Sequence, residues 1–141
     1  MATNAIIWLK INPDDFGKTM KCRVPELPNE LLEYNYPCAD VTFHPNPLDN
    51  ELWAGIYCHH DGYRTGVGEE LIRKFDTYEK VLNLILLGDI SELLDNIVSY
   101  QNWRNEGCKI RFKQGDKPNT PKYMYGYYFE GDKWMHDREE I

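Results

Sequence analysis

Hydrophobic positions change period twice along the chain, from alternation to helical spacing and back to alternation. Asn4 to Asn12 (NAIIWLKIN) is dense in bulky and β-branched residues and stops at Pro13, as an opening strand does. Pro13 to Gly17 reads as its turn, and Lys21 to Val24 as a segment pairing back on that strand. Pro25 and Pro28 then break regularity before Glu30 to Tyr34, a loop or a single helical turn. Ala39 to His44 (ADVTFH) alternates apolar and polar side chains and is ended by Pro45 and Pro47. Leu52 to His59 follows as the next strand. The connection Pro45 to Glu51 predicts that these two strands form an antiparallel pair joined by an extended loop.

In the centre, Val67, Leu71, Ile72 and Phe75 recur at helical spacing within Gly66 to Phe75, with Glu69 and Glu70 in a first turn where the helix dipole favours anions. Thr77 is placed to cap a second helix, Val81, Leu82, Ile85 and Leu86 give it a buried face, and Gly88 gives a left-handed stop. Asp89 or Ser91 can cap a further short helix through Leu94 and Ile97. Alternation returns in Cys108 to Lys113. Gln114 to Pro121 is a polar turn region, Lys122 to Phe129 (KYMYGYYF) a tyrosine-rich strand, and Glu130 to Lys133 a turn into a last strand around Trp134 to His136. Strands, then helices, then strands predict one α+β domain over residues 1–141, its mostly antiparallel sheet covered on one face by the central helices. The repeated βαβ rhythm of a doubly wound fold is missing.

Composition narrows the function classes. The 141 residues carry 16 Lys plus Arg against 23 Asp plus Glu, a net charge of −7, which opposes a protein that coats nucleic acid through phosphate neutralisation. The hydrophobic share of 42% supplies a core. The start lacks a basic region followed by an apolar run, and Val81 to Leu87 is too short to cross a bilayer, so an intracellular, cytoplasmic location is expected. Cys22, Cys38, Cys58 and Cys108 lie far apart and without a CxxC pair, as free thiols do.

One segment has chemical flavour: a strand entering the Gly-rich loop Cys58 to Gly68 (CHHDGYRTGVG). It admits an anion cradle at the following helix start with Arg64 as a clamp, although Glu69 and Glu70 oppose an anion there. It admits a metal or hydrolytic site on His59, His60 and Asp61, which requires a distant ligand such as His44 or His136, because neighbours on a strand point apart. It also admits a plain turn at Asp61 and Gly62 with Tyr63 packed over it. Elsewhere, Tyr123, Tyr125, Tyr127, Tyr128, Phe129 and Trp134 form either a stacking platform or an ordinary aromatic sheet face. Arg104, Lys109, Arg111, Lys113, Lys117 and Lys122 concentrate basic charge beside them. Glu69, Glu70, Asp76, Glu79, Asp89, Glu92 and Asp95 make the helical region acidic, either for solubility or to engage a cationic groove.

The run Ile56 to Ile90 resembles small proteins of phages and integrated elements that carry a His-aromatic-Asp-Gly-Tyr-Pro-x-Gly-Val-Gly segment, then a helix, a Gly-Asp-Ile/Leu-Ser stretch and an aromatic C-terminal hairpin. His59, Asp61, Gly62, Tyr63, Gly66, Val67 and Gly68 match, as do Gly88, Asp89, Ile90 and Ser91, whereas His60 and Arg64 stand where the aromatic residue and the proline would be. The resemblance implies a mobile-element accessory protein, and such short acidic proteins include inhibitors of host defence, anti-CRISPR proteins among them. The resulting expectation is a non-enzymatic protein that binds a host defence protein, such as Cas9 or its guide complex, through His59, His60, Asp61, Tyr63 and Arg64 with Glu69, Glu70 and Glu79. The alternative is a binder or sponge for a signalling nucleotide, using Arg64, the helix start and the aromatic strand. A hydrolase is the third class. No cofactor or resident metal is expected, and a homodimer through a Tyr-rich edge strand is left open.

Overall fold

In the computed structural model, residues 3–21, 40–45, 50–100 and 109–136 are described. Ala5–Lys10 forms β1, Thr19–Lys21 β2, Asp40–Thr42 β3 and Leu52–Cys58 β4. A wide π-type turn, Arg64–Gly68, runs directly into α1 (Glu69–Lys74), and α2 follows at Tyr78–Ile85. The chain then adds β5 (Ile90–Glu92), β6 (Val98–Ser99), β7 (Arg111–Gln114), β8 (Tyr125–Glu130) and β9 (Lys133–His136). The segment Glu30 to Tyr34 and the residues Cys22, Cys38, Arg104 and Cys108 lie outside the described residues.

The main sheet runs β6-β5-β4-β1-β8-β9, with β7 also on β4. Antiparallel pairs dominate it, as the alternation predicts, but β1 and β8 pair in parallel, and so do β4 and β5. The stretch β4-α1-α2-β5 is therefore a βαβ crossover inside a mostly antiparallel sheet. Alternation along β1 separates two cores. Ala5, Ile7 and Leu9 pack with Ile56, Phe129 and the helix residues Val67, Leu71, Val81, Leu82 and Ile85, so both helices cover this one face. Ile6 and Trp8 pack on the opposite face with Trp53, Met124 and Tyr128. There the connection to β8 folds back, with Thr120 hydrogen-bonded to the Tyr128 hydroxyl and the Lys117 ammonium 4.6 Å from the Tyr128 ring centroid.

Local chemistry explains several elements. The Thr77 hydroxyl accepts from the Lys80 N–H at 3.2 Å and starts α2, and Gly88 at φ 75° stops it. Gly131 (φ 58°) and Asp132 (φ 62°) supply the left-handed pair that a two-residue hairpin between β8 and β9 needs.

Four expectations are corrected. Lys21 pairs with β3, not β1, and β3 pairs with β2, not β4, so the residues flanking the Pro45 connection belong to different sheets. Among the described residues, no helix follows Gly88. Ile90 is fully buried beside Cys58, and Ser91 and Glu92 continue as a strand. The cause is Asp89, whose carboxylate accepts from the Tyr57 N–H (2.8 Å) and from both Arg111 guanidinium nitrogens (2.6 and 3.2 Å). Held in that fork, Asp89 joins β4 where β7 has ended and β5 has only begun, and it cannot cap a helix. Finally, the Tyr-rich β8 is an inner strand between β1 and β9, so it offers no edge to a second copy.

Candidate functional site

The loop after β4 is closed upon itself. Asp61 sits at φ 60°, and its carbonyl accepts from Val67 N–H at 2.8 Å, while the Tyr63 carbonyl accepts from Gly66 N–H at 2.9 Å and Gly68 N–H at 3.4 Å. The N–H groups of Gly66, Val67 and Gly68 are thus already spent on the loop's own carbonyls, so this Gly-Val-Gly stretch offers an anion no donor. Gly62 N–H donates to Thr3 O (2.8 Å), and the Tyr127 hydroxyl donates to Gly62 O at 2.7 Å from beneath. A Cβ on Gly66 would stand 2.4 Å from the Asp61 oxygen, and one on Gly62 would stand 2.6 Å from the Asn4 carbonyl carbon. The glycines serve close backbone approach, not a ligand.

The expected site residues separate into three places. His59 and His60 lie at the end of β4, their rings in edge contact at 4.5 Å between centroids, because the chain has left strand geometry by His60. His59 packs against Tyr57 and Tyr100, its carbonyl accepts from Asn4 (2.7 Å), and its Nδ1 is met by the Tyr57 hydroxyl at 2.7 Å and the Asn4 amide at 3.3 Å. Among the described residues, no three His, Cys, Asp or Glu side chains gather as metal ligands. Asp61 is occupied by the Tyr63 hydroxyl at 3.2 Å, and its charge raises the Tyr63 pKa. Glu70 is 4% exposed and bound by Arg73 (2.7 Å) and Lys74 (3.2 Å). The Arg73 hydrogen bond, aided by Lys74, holds its carboxyl below the usual range. Glu79 is exposed on α2, away from the loop, and Asp76 is paired with Lys80 at 3.0 Å. The acidic helical surface is therefore interrupted by its own cations.

The remaining three, Tyr63, Arg64 and Glu69, line a groove of about 410 Å³. One wall is the π-type turn and α1, with Thr65, Leu71 and Ile72; the other side is Tyr125 and Tyr127 of β8 and Trp134, Met135 and His136 of β9. The Tyr125 and Tyr127 rings are near parallel, 10° apart with centroids at 6.5 Å. Trp134 is fixed by its Nε1 donating to Phe75 O at 2.7 Å, and it meets Phe129 edge-on. Among the described residues, His136 Nδ1 has no hydrogen-bond partner. Of the platform suggested by the sequence, Tyr125, Tyr127 and Trp134 reach the groove, whereas Tyr128 is in the opposite core and Tyr123 stands 79% exposed. The contributions of Leu71, Ile72, Met135 and His136 were not signalled; only the order of strands β8 and β9 beside α1 brings them together. The basic cluster is dispersed, with Arg111 spent on Asp89 and Lys113 on the Gln114 and Asp116 carbonyls.

Cys58 is fully buried, donates to His60 O at 3.4 Å, and has its thiol pushed up to about 12 by burial, so it is no nucleophile at neutral pH. No helix among the described residues is long and apolar enough to cross a membrane. No protein-family model, curated protein or solved structure matches this chain.

Proposed function

We propose that this protein is a non-enzymatic binding protein of a phage or mobile element, and that it holds a small ligand of nucleotide type in the groove between α1 and the β8–β9 hairpin. The observation that carries the reading is the groove itself, whose 410 Å³ falls within the few-hundred-Å³ range of small-molecule sites. Its aromatic lining suits a flat base, for which stacking supplies about 1–3 kcal/mol per ring. Arg64 is the cation on the wall for a phosphate, and Glu69 is an acceptor for an amino or hydroxyl group. Sequestering a signalling nucleotide in this way counteracts a host defence without engaging its proteins.

The reading is tested on two fronts. Small molecules released by heat from the purified protein are analysed by mass spectrometry, and the emptied protein is melted with a panel of mono-, di- and cyclic nucleotides. A nucleotide that co-purifies or raises the Tm, and that is lost in Tyr125→Ala and Arg64→Ala, supports it. Absence of any such molecule overturns it.

A second reading, occupation of a host defence factor such as Cas9, draws on Tyr63, Ile72 and Met135, exposed apolar side chains gathered around the same groove. The acidic helices support it less, since Glu70 and Asp76 already have cations. Stoichiometric inhibition in a Cas9 cleavage titration, lost in Ile72→Glu, would favour it over the first.

A further inference from the structure

Of the three carboxylates nearest the groove wall, one is unspent. Glu70 is held by Arg73 at 2.7 Å and Lys74 at 3.2 Å, and Asp61 by the Tyr63 hydroxyl at 3.2 Å. Glu69 lines the groove and is exposed, and its carboxylate has no hydrogen bond or ion pair among the described residues. Its place is set by the residue before it. Gly68 abuts the aromatic side of the groove so closely that a Cβ there would stand 3.1 Å from both Cε1 and the hydroxyl of Tyr127. The backbone that carries Glu69 therefore borders the rings, and a base lying on them turns an edge to the wall that Glu69 belongs to.

An ionised carboxylate accepts hydrogen bonds and donates none, and its two oxygens take two parallel donors at once. The four bases of RNA differ in what their Watson–Crick edges show to such a group. Guanine alone presents two adjacent donors, N1–H and the 2-amino group. Adenine and cytosine set one amino donor beside a ring-nitrogen acceptor, and uracil sets one N–H between two carbonyl acceptors. An acceptor placed against the carboxylate leaves both groups unpaired, which costs affinity. Resting on the nucleotide reading above, we propose that the base is guanine. Its N1–H and 2-amino group are held by the two oxygens of Glu69, and its face lies against Tyr125, Tyr127 and Trp134. A carboxylate on a nucleotide has one other common role, binding the ribose hydroxyls, and the test separates the two.

The full-length chain, freed of bound small molecules, is titrated calorimetrically with GMP, IMP, AMP, CMP and UMP. The native protein is expected to bind GMP about tenfold or more tightly than AMP, CMP or UMP. IMP, which keeps N1–H and lacks the 2-amino group, is expected to fall between. Glu69→Gln replaces one acceptor oxygen by a donor amide, and it is expected to bring the preference for GMP over AMP down to about twofold or less. Because the side chain is exposed, the melting curve of that variant without ligand is expected to match the native one. Glu79→Gln, an exposed change on α2, is expected to keep the native preference. Equal affinity for the four bases, or a preference for another, overturns guanine and leaves the nucleotide reading standing. A guanine preference that survives Glu69→Gln overturns the assignment to Glu69. So does a loss shared equally by all five ligands, which puts the carboxylate on the ribose. If no guanine nucleotide of the wider panel raises the Tm, the proposal falls, and if no nucleotide at all does, the nucleotide reading falls with it.

Discussion

The loop from Asp61 to Gly68 and the β8–β9 hairpin face each other across the groove, and they spend their polar groups in opposite ways. The loop is rich in the glycines that suggest a binding turn, yet the N–H groups of Gly62, Gly66 and Gly68, with that of Val67, are bonded to the Thr3, Tyr63 and Asp61 carbonyls. The hairpin reads as an ordinary aromatic sheet, yet it leaves rings along a groove and, among the described residues, forms an edge of the sheet. A glycine-rich motif can be a device of architecture, while binding falls to the flat surface that the motif props up. The Tyr127 hydroxyl, under the Gly62 carbonyl, couples the two.

The largest expected effect concerns Cys58, at the root of the loop. Its unfolded thiol ionises near 9.0 and its folded thiol near 12. Between those values the unfolded state binds fewer protons, so stability is full below pH 9 and falls as pH rises, by about 1.4 kcal/mol per unit. Urea denaturation from pH 7 to 11 is expected to show that fall, and Cys58→Ala to remove the thiol's share of it. If both proteins lose stability equally, the loop's root is not closed. Next come Gly66→Ala and Gly62→Ala, whose new methyl groups meet backbone as their nearest neighbour. Each is expected to cost about 2 kcal/mol in urea denaturation, against about 0.5 kcal/mol or less for exposed Thr65→Ala. Equal costs would mean that the loop is as open as the hairpin. The smallest effect is Tyr127→Phe, which deletes one buried hydrogen bond and is expected to cost about 1–2 kcal/mol. A cost near zero would show that the two regions are uncoupled.

Much of the fold was legible because it is written locally. Thr77 capping Lys80, the α2 face, the left-handed residues of the last hairpin and the strands around Ile7, Ile56 and Tyr127 all follow from neighbours in sequence. What sequence reading lost is decided by partners far away. Asp89 looks like a cap until Arg111 claims its carboxylate, and Asp40–Thr42 looks like the mate of β4 until Thr19–Lys21 takes it. The aromatic strand could be marked as a platform, but which of its rings matter depends on the parallel pairing of β1 with β8 and the lie of α1, which no local pattern encodes. His59 and Arg64, members of one short motif, go to different surroundings in the fold: His59 packs on Tyr57 and Tyr100, and Arg64 lines the groove.

The Asp89 fork has a wider consequence. The Tyr100 N–H donates to the Asp89 carbonyl (2.9 Å), and the Lys109 carbonyl accepts from Asp89 N–H (3.1 Å). The same residue reaches β4 through Tyr57 and β7 through Arg111, while β5 and β7 hold their registers on β4 independently. One residue, through its side chain and its peptide groups, is thus a rivet that joins short pieces of chain too brief to hold one another by ladder bonds alone.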